Sequence, residues 1–169
     1  IERAFDQPIA DDLLRLVFIA CHPVLSREAR TALTLRLVGG LTTDEIARAF
    51  LVPEPTIAQR IVRAKRTLAE ARAPFELPPP AELSARLASV LEVIYLIFNE
   101  GYSHPGRRDD LAREAIRLGR VLAGLMPDEP EALGLLALML LQDSRRGARV
   151  AVDGSLVVLD EQARTRWDA

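Results

Sequence analysis

Two short clusters in this 169-residue chain carry side chains able to do chemistry. The first is Asn99-Glu100-Gly101-Tyr102-Ser103-His104, where a carboxylate, a phenol and an imidazole fall within five residues and can serve acid–base catalysis. No second carboxylate, nucleophile or phosphate-cradling loop accompanies them. The structural reading is therefore preferred: Gly101 ends a helix, and Glu100 and Tyr102 hydrogen-bond the loop that follows. The second cluster is Thr56, Gln59, Arg60, Arg63, Lys65 and Arg66. Arginine offers a planar fork that suits guanine edges or phosphates, and glutamine can read adenine. Cys21 and His22 stand side by side but lack the further Cys or paired His that a zinc site needs, so no metal and no cofactor are expected.

The basic cluster sits on a segment whose apolar residues set its orientation. Ile57, Ile61, Ala64 and Leu68 recur at i, i+4, i+7 and i+11, which makes one helical stripe and leaves the polar residues on the outer faces. This helix is expected to start near Pro53, to tolerate Pro55 in its first turn, and to reach about Arg72. From Glu54 to Arg72 it holds five basic and two acidic residues. Three shorter helices should precede it. Residues 11–21 place Leu13, Leu14, Val17, Phe18 and Cys21 at helical spacing. A second helix starts at the Ser26 cap and stops at Gly39-Gly40. A third starts at Thr42, where Glu45 completes a capping box, and turns Ile46, Ala47 and Phe50 inward. A short helix, a tight turn and a basic helix form a helix-turn-helix, whose second helix can enter a major groove.

Charge divides the chain. Residues 1–73 carry 11 Arg and Lys against 9 Asp and Glu, and residues 74–169 carry 11 against 15. Between the halves lies Ala73-Pro74-Phe75-Glu76-Leu77-Pro78-Pro79-Pro80, a stiff spacer that sets the boundary of a first domain at residues 1–73, a linker at 74–81 and a second domain at 82–169. The acidic half can fold onto the basic helix and mask it. A single cysteine fits a reducing cytoplasm, and the longest apolar run, residues 132–141, is about half of the ~20 residues that cross a bilayer, so no membrane partner is expected. The chain begins at Ile1 without Met and ends in what reads as a helical first turn, so it is read as a piece of a longer protein.

Residues 24–72 resemble region four of bacterial sigma factors of the extracytoplasmic-function group. The resemblance rests on Arg27-Glu28-Ala29-Arg30, Leu33-Thr34-Leu35-Arg36, Gly40-Leu41-Thr42, Glu45-Ile46-Ala47 and the run from Thr56 through Lys65. Pro53 and Pro55 depart from the Ser cap and Gly more often found there. Response-regulator output domains share Glu-Ile-Ala and Thr-Ile but usually end the chain. The resemblance implies that the domain recognises the −35 promoter element, contacts the β flap of the RNA polymerase core, and touches DNA through Thr42, Glu54, Thr56, Gln59, Arg60, Arg63, Lys65 and Arg66. Region two, which melts the −10 element in that family, would precede Ile1.

The second half is similar to the long C-terminal extension of one subgroup, a helical, tetratricopeptide-like tail that regulates the factor and can take a regulatory protein partner. Its marks are the run from Tyr95 through Tyr102, which includes Asn99, Glu100 and Gly101, then Glu114-Ala115-Ile116-Arg117-Leu118, the apolar run from Gly134 through Leu141, and Arg166-Trp167-Asp168. Helices are expected over residues 82–98, from an Asp109 or Asp110 cap to about Leu125, and from Asp128-Pro130 to about Asp143. The last is apolar almost all round and should be covered on several sides. Asp153-Gly154 between residues 148–152 and 155–159 predicts a small β-hairpin, with a helix starting at Asp160. The expected architecture is thus mainly α, a four-helix helix-turn-helix domain followed by a helical domain with one hairpin. The expected activity is transcriptional and not enzymatic. The rivals are a helical protein-interaction scaffold or another helix-turn-helix regulator.

Overall fold

Residues 12–73, 78–103 and 108–168 are described by a computed structural model, and they carry seven α-helices. These are α1 (Asp12–Ala20), α2 (Arg27–Leu37), α3 (Thr43–Ala49), α4 (Glu54–Glu70), α5 (Pro80–Ser103), α6 (Asp109–Leu125) and α7 (Pro130–Asp143). Asp11, part of the expected spacer (74–77) and His104 lie outside the described residues. The chain forms two compact units, one through Ile94 and one from Tyr95.

In the first unit, α4 lies against both α2 and α3, and α1 lies against α2. Its core is the set of apolar stripes read from the pattern: Leu14, Val17 and Phe18 of α1, Leu33 of α2, Ile46 of α3, and Ile57, Ile61 and Ala64 of α4 are buried. Phe50 and Leu68, the outermost members of their stripes, are only half-buried. Helix ends follow local chemistry. The Ser26 hydroxyl accepts from the Ala29 N–H, and Thr42 with Glu45 makes the reciprocal capping box, a type of contact whose loss costs about 0.5–2 kcal/mol. Gly40 takes φ +60°, the left-handed step that turns the chain from α2 towards α3. Pro53 precedes α4 with no side-chain cap, and Pro55 sits in its first turn, where the missing N–H removes no helical bond.

The first half of α5 also belongs to this unit. Leu83, Leu87, Val90, Val93 and Ile94 are buried, and so is Arg86, at 8% exposure. Its guanidinium donates to Glu82 at 2.7 Å and to the Phe18 carbonyl at 3.4 Å, which compensates most of the charge it buries. Pro80 opens α5: its missing N–H suits a first helical position, although a proline run opposes continuing a helix.

In the second unit α6 and α7 pair along their lengths. α5 does not end at Gly101. It continues to Ser103, because Gly101 serves a different purpose: a Cβ there would lie 2.4 Å from the Ala112 amide nitrogen and 2.7 Å from the Arg108 carbonyl oxygen, so glycine lets α6 approach the backbone of α5. α6 begins at Asp109 with Arg108 as the preceding residue and no side-chain cap. Asp109 instead pairs with Arg146 at 2.9 Å, while both aspartates still favour the positive end of the helix.

Three expectations for this unit are corrected. α7 is not covered on several sides: only Ala132 and Met139 are buried, and Leu133, Leu138, Leu140 and Leu141 are exposed among the described residues. The β-hairpin reduces to a single antiparallel bridge between Val150 and Leu156. Asp153-Gly154 does turn the chain, with Gly154 at φ +84° and the Asp153 carboxylate accepting from the Ser155 N–H and hydroxyl. The flanks are too short and too exposed to extend into strands, since Val152, Leu156 and Val158 all face solvent. No α-helix starts at Asp160. Residues Leu159–Glu161 and Arg164–Arg166 make single 3-10 turns, and no buried apolar stripe there rewards a longer helix.

Candidate nucleic-acid interface

The strip Thr56, Gln59, Arg60, Arg63 and Thr67 follows the helical repeat along α4, one step round from the buried stripe Ile57, Ile61 and Ala64. It forms one wall of a groove of about 390 Å3 in the first unit, whose other wall is Val24, Leu25, Ser26 and Ala29, at the entry to α2. Thr56, Gln59 and Arg63 are exposed and Arg60 is half-buried. Neither Arg60 nor Arg63 makes a hydrogen bond or ion pair among the described residues. Both guanidinium groups therefore keep their donors available, the property an anionic or base-edge partner requires.

The remaining candidates are placed differently. Thr42 is exposed, but its hydroxyl is engaged in the cap, accepting from the Glu45 N–H at 3.2 Å and donating to the Glu45 carboxylate at 3.0 Å. Glu54 is the exposed first residue of α4, where a carboxylate favours the helix dipole. Arg66 is exposed and pairs with Glu70 at 2.7 Å on its own helix. Lys65 is exposed beside it and does not line the groove. So the structure gathers Thr56, Gln59, Arg60 and Arg63 into one site and leaves Thr42, Glu54, Lys65 and Arg66 outside it.

The opposite wall was missed in the sequence. Ser26 is readable as a cap, but nothing local tells that the cap faces Gln59 and Arg60, because the packing of α2 on α4 joins residues far apart in the chain. Glu28 stands next to this wall. Its own backbone N–H and the Ser26 hydroxyl hold its carboxyl below the usual range, with smaller help from Arg60 and Arg27. The turn between α3 and α4 is tight: Leu51 adopts φ +53° and is 92% exposed, and the Val52 N–H closes the turn on the Ala47 carbonyl at 3.0 Å.

The acidic residues in the first half of α5 meet cations outside α4. Glu92 meets Arg27 of α2 at 2.5 Å, and Glu82 meets Arg86. The acid–base cluster has a structural surrounding. The Tyr102 ring stacks on Phe98 with centroids 5.4 Å apart, the Arg149 guanidinium lies 3.7 Å from the centre of the Tyr102 ring, and Arg149 also donates to the Tyr102 carbonyl. The space beside Gly101 and Tyr102 is about 10 Å3, room for roughly one water and no substrate. Asn99 and Glu100 are half-buried on the same helical turn. His22 accepts the Val24 N–H on Nδ1, and burial, chiefly, lowers its pKa, so it is a neutral acceptor at the end of α1. Among the described residues no three His, Cys, Asp or Glu side chains converge as a metal site would require, and no helix is long and apolar enough to cross a membrane.

Residues 15–68 match the family model described as Sigma-70, region 4. The α1–α4 bundle is similar to sigma-70 region 4. That likeness implies a sigma-factor-like DNA-binding role for residues 15–68. Residues 86–169 match a family of unknown function, DUF6596. The chain is 50% identical over 161 residues to an uncharacterized protein of Rhizobium meliloti (strain 1021), an alignment covering 93% of this chain and 38% of that protein. The chain thus spans well under half the length of that relative. No solved structure matches it.

Proposed function

We propose that the region 4-like unit recognises the −35 promoter element through Thr56, Gln59, Arg60 and Arg63, in a cytoplasmic sigma factor of the extracytoplasmic-function type. Thr42, Glu54, Lys65 and Arg66 contribute contacts at the rim. The observation that carries this reading is the pair of guanidinium groups, Arg60 and Arg63, that line one groove and make no hydrogen bond or ion pair among the described residues. In this reading residues 1–73 are the DNA-binding domain, residues 74–81 a spacer, and residues 82–169 a regulatory extension that takes a protein partner.

So few outward cations bind duplex weakly on their own, since a good bidentate base contact discriminates by about 1–3 kcal/mol. Attachment to the β flap of RNA polymerase raises the effective concentration of the site at the promoter. The test is selection of duplexes from a randomised pool by the chain with core polymerase, followed by transcription from a promoter carrying the selected element. Arg60→Ala and Arg63→Ala abolish −35-dependent transcription and leave polymerase capture intact. Unchanged output from both variants removes them from the site.

One observation favours a second reading, a helical protein-interaction scaffold: the exposed leucines of α7 form an apolar face. A salt-dependent shift of the selected duplex, set beside capture of the β flap, separates the two. The scaffold retains protein capture and shows no duplex shift at any salt.

A further inference from the structure

Arg30 of α2 is the most heavily engaged side chain near the groove. Its Nε donates to the Leu25 carbonyl at 2.9 Å and the His22 carbonyl at 3.2 Å, one terminal nitrogen to the Pro23 carbonyl at 3.2 Å, and the other to the Ser89 hydroxyl at 2.7 Å. Three of these four acceptors are carbonyls of the α1–α2 connection. That connection supplies Val24, Leu25 and Ser26 to the groove wall facing Gln59, Arg60 and Arg63. The fourth acceptor belongs to α5. One side chain therefore ties a wall of the groove to the helix that continues past Ile94 into the second unit.

A second rung supports the first. Arg27, three residues before Arg30, donates to Glu92, three residues after Ser89, at 2.6 Å. The two pairs match antiparallel helices in register, so α5 is seated on the entry of α2 at a defined position. Both contacts are polar and partly open to water, and they add to the apolar burial of Leu83, Leu87, Val90, Val93 and Ile94 of α5.

We infer that Arg30 is a positioning residue through which α5 sets the shape of the DNA-binding groove, with Ser89 as the contact that transmits it. The inference rests on the DNA-binding reading above, and goes beyond it in naming how the extension reaches the site. Ser89 is neutral and lies away from the groove, so removing its hydroxyl deletes no phosphate contact. It removes one of the four acceptors that hold the Arg30 guanidinium.

The test compares the wild-type chain with Ser89→Ala and Ser89→Thr, using the duplex selected by the wild type. Ser89→Ala is expected to weaken binding about three- to tenfold, the effect of loosening one charge-assisted hydrogen bond. Its unfolding temperature and the slope of binding against salt stay those of the wild type, and the backbone amide resonances of Val24, Leu25 and Ser26 move in the absence of DNA. Ser89→Thr, which keeps the hydroxyl, restores affinity and resonances. Wild-type affinity and unmoved resonances in Ser89→Ala overturn the inference and leave the DNA-binding reading standing. A reduced salt slope in Ser89→Ala also overturns it, because Arg30 would then be a direct phosphate contact. A wild-type chain that selects no duplex defeats the reading and this inference together.

Discussion

Helices α4 and α7 are built to one plan with opposite surfaces. Each lays a narrow stripe on a neighbour, Ile57, Ile61 and Ala64 in α4 and Ala132 and Met139 in α7, and each leaves its far side to solvent. On α4 that side is Thr56, Gln59, Arg63, Lys65 and Arg66; on α7 it is Leu133, Leu138, Leu140 and Leu141. The first surface gains from meeting an anion, and the second gains only from meeting another apolar surface. The lesson is that burial of one helix face does not tell what the opposite face is for. The chemistry of the exposed side carries the functional information, and it differs between these two helices.

The largest effects expected are in the buried stripes, where the two helices should behave alike. Ile57→Ala and Met139→Ala each cost about 2–5 kcal/mol in denaturant unfolding, the range for truncating a fully buried aliphatic side chain. On the outer faces Val62→Ala and Leu141→Ala, at 65% and 69% exposure, change stability by no more than about 0.5 kcal/mol. A Leu141→Ala loss as large as that of Met139→Ala would mean that the α7 face is covered in solution, and the contrast with α4 would fail.

Next in size is a pair of glycines in the second unit. Gly101→Ala drives a methyl group into the backbone of α6, at Ala112 N and Arg108 O, and should cost about 1–3 kcal/mol. Gly119→Ala meets the end of the Met139 side chain at 2.7 Å, a flexible group that can move aside, and should cost less. Equal unfolding midpoints for the two variants would contradict the close backbone approach assigned to Gly101.

At neutral pH the smallest effect concerns Cys21, buried in the first unit. Burial, above all, pushes its thiol from 9.0 up to about 12, with Arg30 and Thr34 opposing. Since the folded value is the raised one, the associated stability is complete below pH 9 and fades as pH climbs from there towards about 12. The folded chain is expected to resist alkylation at pH 8 and to react once denatured. Rapid labelling of the native chain at pH 8 would show that the thiol is not sealed in the core.

The amphipathic parts of this fold were legible in the sequence because local rules and burial agree there. The capping box at Thr42 and Glu45, the cap at Ser26 and the stripe along α4 all stand where periodicity placed them. Reading failed where the signal was ambiguous or non-local. α7 is apolar on all sides, so its periodicity could not reveal that only Ala132 and Met139 are buried. Gly101 looked like a helix terminus, whereas what requires glycine there is the backbone of a different helix. Asp153-Gly154 did specify a turn, but a turn alone does not create strands when its flanks have nothing to pack on. Of the candidate site, the α4 wall was written in its helical spacing, and the Val24–Ser26 wall, held by Arg30, was not.

The central claim is that the outer face of α4 meets DNA, and the most direct measurement is photocrosslinking from that face. A photoreactive residue replacing Gln59 in the full chain, irradiated with the selected duplex and core polymerase, should crosslink to bases of the −35 element, and the same probe at Leu141 should crosslink to none. Crosslinks from position 59 that reach only protein would contradict the account.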